Sequence, residues 1–215
     1  VLAPMSALAF TISPTLGAQK AAGNDDRVAR IYEKTLVNSL LLYLPAGAGI
    51  ILVADPTIHL VFGSEYSGAV AVVRVLGLYV VLNAVVQISD NGLDYLGRAR
   101  ERAVARLVTA ALNVALNVAL IPALGVVGAA IATVFTRGLY TASNVVIIYS
   151  ELDFRGWFIL RKLGLIVAST AAMSVVVFAL LEQVSGLLTL GLVVVAGVVV
   201  WAILSMVTGL LEPKS

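Results

Sequence analysis

Long apolar segments recur along this chain, and they constrain its fold more than any other feature. A helix needs roughly 20 mostly apolar residues to cross a bilayer. Seven segments meet this requirement: 1–18, 36–54, 69–92, 103–121, 126–149, 159–181 and 187–211. Charged residues make up only 12% of the chain, about half the fraction found in soluble domains. The sequence therefore predicts an all-α polytopic membrane protein with seven transmembrane helices.

The basic residues alternate between the connections that join these segments. The connections after the second, fourth and sixth segments contain no Lys or Arg. The other three contain Lys20, Arg27, Arg30 and Lys34; Arg98, Arg100, Arg102 and Arg106; and Arg155, Arg161 and Lys162. Because cytoplasmic loops are enriched in Lys and Arg, we predict a multi-pass protein of the cell (cytoplasmic) membrane with a cytoplasmic C-terminus. The positive charges are explained by topology, so we expect no nucleic-acid partner.

The residue types that build catalytic and metal sites are scarce. The chain has no cysteine and one histidine, His59, which excludes a thiolate metal site, a disulfide framework and a histidine cluster. No paired-carboxylate, Ser/His/Asp or phosphate-binding-loop pattern occurs. We therefore predict a protein that is not an enzyme and has no metal or cofactor.

Arg137 is the most informative polar residue in an apolar segment. It lies about 11 residues from the predicted outer end of its span, roughly 16 Å deep at the helical rise. Thr133, Thr136, Tyr140 and Asn144 share its helix face by spacing. Membrane-embedded charges usually serve a site or pathway. Arg137 is thus either a cationic site in a water-filled cavity or an arginine locked to a carboxylate or to helix-end carbonyls.

Other polar residues in the segments leave alternatives open. Arg74 is about 8 Å below the outer boundary by the same rise, so it is either a snorkelling anchor or a cation at the cavity mouth. Asn113 and Asn117 fit interhelical hydrogen bonding or contacts with substrate. Asp90 and Asp94 fit a solvated helix end or a cation-coupling or gating site.

Two basic stretches lie on the predicted cytoplasmic side. Segment 20–34 predicts a short amphipathic helix at the membrane interface. The cluster at 98–106 is explained by topology or by binding of anionic lipid headgroups.

Two stretches resemble a known family. They are FGSEYSGAVAVVRVLGLYVVL and ALNVALNVALIPALGVVGAAIATVFT. They are similar to segments of the polysaccharide and O-antigen (Wzx-like) flippases, which belong to the multidrug/oligosaccharidyl-lipid/polysaccharide exporter superfamily. The detailed resemblance covers about residues 36–149.

The resemblance implies a position within a larger transporter. Members have 12 or 14 spans in two lobes with both termini in the cytoplasm, and the seven segments match about spans 8–14 in topology. Residues 1–149 would then belong to the second lobe, and residues 150–215 would form two additional C-terminal helices. The chain starts at Val1 in an apolar run, so we expect a fragment whose partner is the missing N-terminal half.

The resulting hypothesis is a flippase for a lipid-linked oligosaccharide. Arg137 and Arg74 would attract the phosphate or pyrophosphate, and the sugar hydroxyls would bond to Asn113, Asn117, Tyr140 and Asn144. Further expected partners are membrane lipids and other membrane proteins of glycan assembly. The alternatives are a cation-coupled multidrug exporter of the same superfamily and a non-transporting scaffold of a glycan-assembly complex.

Overall fold

Six long α-helices make up the computed structural model, which describes residues 23–211. They are α1 (Asp25–Val61), α2 (Ala69–Tyr95), α3 (Ala99–Leu124), α4 (Val126–Glu151), α5 (Gly156–Leu181) and α6 (Leu187–Val207). Each is long and apolar enough to cross a membrane. The predicted all-α, multi-pass class is confirmed, and six of the seven predicted spans each correspond to one helix. The first predicted span, 1–18, lies outside the described residues.

Helix α1 differs most from the expectation. Residues 25–34, expected to form part of a separate interfacial helix, are instead the first turns of this 37-residue helix. Ala29 and Glu33 are fully buried there, so this part packs against the protein. At its other end α1 runs on to Val61 despite Pro45 and Pro56. Membrane helices tolerate proline because neighbouring groups satisfy the freed carbonyls.

The helices pack in a definite order across the bundle. Helix α1 packs against α2, and α2 against α4, which forms a hairpin with α3. On the other side of α1 lie α5 and α6, which also pack on each other. Helix α3 is the most peripheral, since no residue of Ala99–Leu124 is buried. The bundle therefore places α2 and α4 between a central α1 and an exposed α3.

Glycine permits the closest helix contact, the crossing of α1 and α2. A Cβ atom on Gly47 would lie 2.8 Å from the carbonyl oxygen of Gly77, and one on Gly77 would lie 3.0 Å from that of Gly47. Small residues at such crossings let helix backbones approach closely in membranes. The crossing fixes α2 firmly against α1, so α2 is a rigid wall for the groups it carries.

One end of the bundle, here named the basic end, contains the start of α1 and the connections 96–98 and 152–155. Glu33 joins two of these parts. Its carboxylate accepts the backbone N–H of Arg155 at 2.6 Å and the Arg155 side-chain nitrogens Nε and Nη2 at 3.0 and 2.8 Å. Arg30 adds a bond at 2.8 Å. The pairing of Arg98 with Glu151 at 2.5 Å joins the third part. The connections rich in Lys and Arg are thus brought together at one end.

Candidate functional site

A polar cleft of about 220 Å³ opens between α2, α3 and α4. Its polar lining residues are Tyr79 from α2, Arg106, Thr109 and Asn113 from α3, and Thr133, Thr136, Arg137 and Tyr140 from α4. The cleft exists because α4 presents its polar face towards α3, while α3 packs closely on α4 and hardly on α2. Four of the five residues of the polar face predicted for α4, all but Asn144, therefore line an open space.

Arg137 carries a positive charge that no carboxylate neutralises within residues 23–211. Its Nη2 atom donates a hydrogen bond to the hydroxyl of Tyr79 at 2.5 Å. The guanidinium carbon also lies 4.9 Å from the centre of the Tyr79 ring. A tyrosine ring and hydroxyl orient the cation and partly compensate its desolvation. They leave most of its five N–H donors available, so the structure places an oriented, uncompensated cation in the cleft.

The two asparagines of α3 differ in role. Asn113 lines the cleft and donates from Nδ2 to the Thr136 hydroxyl oxygen at 3.0 Å, which links α3 to α4. Asn117 donates to the side-chain and backbone oxygens of Asn113, at 2.9 and 2.8 Å. Asn117 is not among the cleft-lining residues. The interhelical hydrogen bond considered from the sequence is present, and Asn113 is the member that is also open to a ligand.

Tyr140 and Asn144 both bond to the carboxylate of Asp90, which the sequence predicts to be part of either a solvated helix end or a cation-coupling or gating site. Both donate to Oδ1 of Asp90, Tyr140 from its hydroxyl at 2.6 Å and Asn144 from Nδ2 at 2.9 Å. Oδ2 of Asp90 accepts Arg106 Nη2 at 3.0 Å and lies 3.8 Å from Arg102 Nη1. The Asp90 side chain is only 15% exposed, so it belongs to a network and is not a freely solvated helix end.

Asn144 itself is buried and does not line the cleft. Tyr140 lines the cleft at its edge, below the guanidinium of Arg106, which lies 5.5 Å from the ring centre. Tyr140 is itself only 3% exposed, and its hydroxyl is bonded to Asp90. Of the residues assigned to sugar binding, Asn113 is therefore the one in reach of a ligand. Asn117 and Asn144 donate hydrogen bonds to Asn113 and Asp90 and hold these two residues in place.

Arg74 stands apart from this cleft. It is exposed on α2 and does not belong to the cleft lining. Its position is about 140° away from Tyr79 around the helix, by the 100° turn per residue. The structure does not bring Arg74 and Arg137 together, so the pair expected from the sequence is reduced to Arg137.

Sequence reasoning missed Tyr79, Arg106 and the central position of Asp90. One signal was available: Tyr79, Asn83 and Asp90 share a face of α2, being spaced by four and seven residues. Arg106 offered no such signal, because it looked like one of four clustered basic residues. The position of Arg106 in the cleft depends on which face of α3 packs against α4, and the sequence does not indicate that face.

Charged pairs continue from the cleft to the basic end. Arg102 pairs with Asp94 at 2.8 Å, and Arg98 pairs with Glu151 and Glu101. Hydrogen bonds to Glu151, and then to Glu101, raise the pKa of Arg98, so this charge is present at every physiological pH. The pairs tie the ends of α2, α3 and α4 together.

A second cavity has a different character. A groove of about 340 Å³ lies between α1, α5 and α6. Every residue lining it is apolar, including Leu42, Met173 and Trp201. It offers no charged or hydroxyl group for a phosphate or a sugar. The polar cleft is therefore the candidate site for a hydrophilic ligand.

Comparison with known proteins places the chain in a family. The MatE family model matches residues 1–119, more than half of the chain. A protein of Haloferax volcanii named "Probable low-salt glycan biosynthesis flippase Agl15" is 28% identical over 172 residues. The match covers 80% of this chain and 36% of that relative, so the chain spans about a third of the relative's length. The chain belongs to the MatE family.

Proposed function

We propose that the chain is part of a flippase for a lipid-linked oligosaccharide, whose carrier is a polyprenyl phosphate or pyrophosphate. The observation that carries the proposal is the uncompensated Arg137 in the polar cleft. Such a cation attracts the anionic head of the substrate, and an arginine fork matches phosphate oxygens in pairs. The name of the Haloferax volcanii relative, a glycan biosynthesis flippase, supports a glycan-linked substrate.

The remaining cleft residues fit a glycan. Asn113 and Thr133 offer amide and hydroxyl groups of the kind that bond to sugar hydroxyls. They line the cleft together with Arg137, Asn113 from α3 and Thr133 from α4. A substrate whose phosphate binds Arg137 therefore has polar partners for its first sugars within the same cleft.

The larger architecture is part of the proposal. The six described helices and the predicted span at 1–18 would form spans 8–14 of a 14-span transporter. The polar cleft would face the first lobe, and the two lobes would rock around it to give alternating access. By the positive-inside rule, the basic end would lie on the cytoplasmic side of the cell membrane.

The two alternative functions, a drug exporter and a scaffold, would require different side chains in the cleft. A cation-coupled drug exporter would use a carboxylate with oxygens free for a cation. The Asp90 oxygens already have two hydrogen-bond donors and two arginines around them. A non-transporting scaffold in a glycan-assembly complex would have no use for an oriented cation in an open cleft. Neither rival accounts for the environment of Arg137.

The test is a comparison of three arginine substitutions in the cells that make this protein, at equal membrane expression. Arg137→Gln removes the charge, Arg137→Lys keeps it without the planar fork, and Arg74→Gln is the control outside the cleft. Surface glycan should fall at least about tenfold with Arg137→Gln, since charged hydrogen bonds contribute about 1.5–3 kcal/mol. Arg137→Lys should retain part of the display, and Arg74→Gln all of it. Normal display with Arg137→Gln would disprove the phosphate site.

A further inference from the structure

Arg106 shares the cleft with Arg137 but is paired with a carboxylate. We propose that Arg106 is a second anion-binding residue, and that Asp90 is a resident counterion which the anionic head of the substrate displaces from it. The inference rests on the proposed function, because it takes the ligand to be a lipid-linked phosphate or pyrophosphate. It assigns a binding role to a residue that the sequence explained by topology.

Arg106 has the capacity to bind such a ligand. Its side chain is 59% exposed and lines the cleft. Among the described residues it uses one N–H donor, in a hydrogen bond to Asp90, out of the five that a guanidinium offers. Tyr140 lies beneath it at 5.5 Å and keeps the guanidinium oriented along the cleft wall. The unused donors can take two phosphate oxygens at once.

Arg102 provides an internal comparison. It lies about one turn nearer the start of α3 and binds Asp94 at 2.8 Å. Its side chain is 23% exposed, and it does not line the cleft. The two arginines share a helix and similar acidic partners, yet only Arg106 is open to a ligand.

Asp90 can release Arg106 without becoming an isolated buried charge. Its Oδ1 atom would keep the hydrogen bonds from Tyr140 and Asn144, and Oδ2 would keep Arg102 nearby. Arg102 also has a donor to spare, since within residues 23–211 its buried Nε atom has no hydrogen-bond partner. Arg102 is therefore the cation that continues to compensate Asp90 when Arg106 leaves it.

The exchange would change how α3 is held. Helix α3 packs on α4 and makes few contacts with α2. Three pairs supply the charged links between α2 and α3 that the structure describes: Asp90–Arg106, Asp90–Arg102 and Asp94–Arg102. When the substrate takes Arg106, one of these links is lost. Occupation of the cleft is thereby coupled to loosening of α3 from α2 at the basic end.

The test measures binding of inorganic pyrophosphate to the full-length protein in nanodiscs of phosphatidylcholine, by calorimetry at physiological ionic strength. Arg106→Gln should weaken binding about tenfold, the value of a charged hydrogen bond. Arg102→Gln should weaken binding less, about two- to threefold, because Arg102 does not line the cleft and acts only by compensating the charge of Asp90. Asp90→Asn should strengthen binding about threefold, since it removes a partly exposed competing pair. The Asp90→Asn/Arg106→Gln double variant should lose this gain.

Several results would overturn the inference. Equal losses for Arg106→Gln and Arg102→Gln would reduce Arg106 to a general positive charge. Weaker binding with Asp90→Asn would mean that Asp90 supports the anion site and does not compete with it. If Asp90→Asn fails to fold, the comparison of Arg106→Gln with Arg102→Gln decides alone.

Two further arms separate this inference from the proposed function and from another ligand. Binding that requires Arg137 but ignores Arg106→Gln would overturn the exchange and leave the flippase proposal standing. Absence of pyrophosphate binding in the unaltered protein would contradict both the exchange at Arg106 and the flippase proposal. In nanodiscs that contain phosphatidylglycerol, the negative surface lowers the apparent pyrophosphate affinity of every variant, but the ratio between the unaltered protein and Arg106→Gln should stay about tenfold. A collapse of this ratio would assign Arg106 to ordinary anionic headgroups and overturn the substrate role.

Discussion

Glu33 and Asp90 each gather arginines near the basic end of the bundle, but their surroundings differ. Glu33 is 0% exposed, and both of its oxygens accept hydrogen bonds from Arg155 or Arg30. It joins the start of α1 to the connection 152–155 and does not line the polar cleft. Asp90 is 15% exposed, and one of its arginine partners, Arg106, lines the cleft.

The difference shows how the same residue types serve two purposes. A buried carboxylate whose partners are all protein groups fixes two parts of the chain together, and removing it leaves unpaired groups behind. A carboxylate whose partner is open to a ligand can exchange that partner. Glu33 therefore belongs to the stability of the bundle, and we assign Asp90 to the function of the cleft.

The largest effect that tests the difference between Glu33 and Asp90 is expected in the stability of a Glu33 variant. Glu33→Ala should lower the free energy of unfolding by about 2–4 kcal/mol, because it leaves the Arg155 backbone N–H and a cation without partners. Thermal unfolding in detergent checks this against the unaltered protein. The fraction that folds should bind pyrophosphate normally. A change in affinity without a change in stability would assign Glu33 to the site.

Asp90→Asn should have a smaller effect on stability, about 1 kcal/mol, since its arginine partners are partly exposed and asparagine retains an acceptor for Tyr140 and Asn144. The same unfolding measurement applies. A destabilisation equal to that of Glu33→Ala would show that the two clusters are alike, which would contradict the division between them.

Tyr79→Phe sharpens the description of Arg137. It removes the hydroxyl that accepts the Arg137 hydrogen bond and keeps the ring that lies 4.9 Å from the guanidinium carbon. Pyrophosphate affinity should fall about two- to fivefold, the worth of one orienting hydrogen bond. The matched variant Tyr79→Leu also removes the ring and should weaken binding further. Equal effects of the two variants would mean that the ring does not orient Arg137.

Arg74→Gln should have the smallest effect. Arg74 is an exposed residue outside the cleft, and substitutions at such positions usually change stability by no more than about 0.5 kcal/mol. Pyrophosphate affinity and glycan display should match those of the unaltered protein. A loss of affinity comparable to that of Arg137→Gln would restore Arg74 to the site.

The sequence predicts the helices well because hydropathy alone determines them. It does not predict the full length of α1, since the burial of Glu33 depends on Arg155, 122 residues further along the chain. The polar face around Arg137 follows from helical spacing, and all of it except Asn144 lines the cleft. The partners of that face do not follow, because Tyr79, Asp90 and Arg106 are brought there by the packing of α2 and α3 on α4. Arg74 illustrates the opposite error, because depth along a helix does not indicate the direction in which a residue faces.

Arg137 is proposed to make the cleft a water-filled, cationic site. The 215 residues contain no cysteine, so Thr133→Cys places one thiol among them, in the cleft lining; any cysteine elsewhere in the full-length protein is first replaced by serine. The rates of its modification by an anionic and a cationic methanethiosulfonate reagent report the local charge. One nearby cation should make the anionic reagent roughly five- to tenfold faster, and Arg137→Gln should reduce this ratio towards one. Equal rates in the unaltered background, or a ratio that survives Arg137→Gln, would contradict the account.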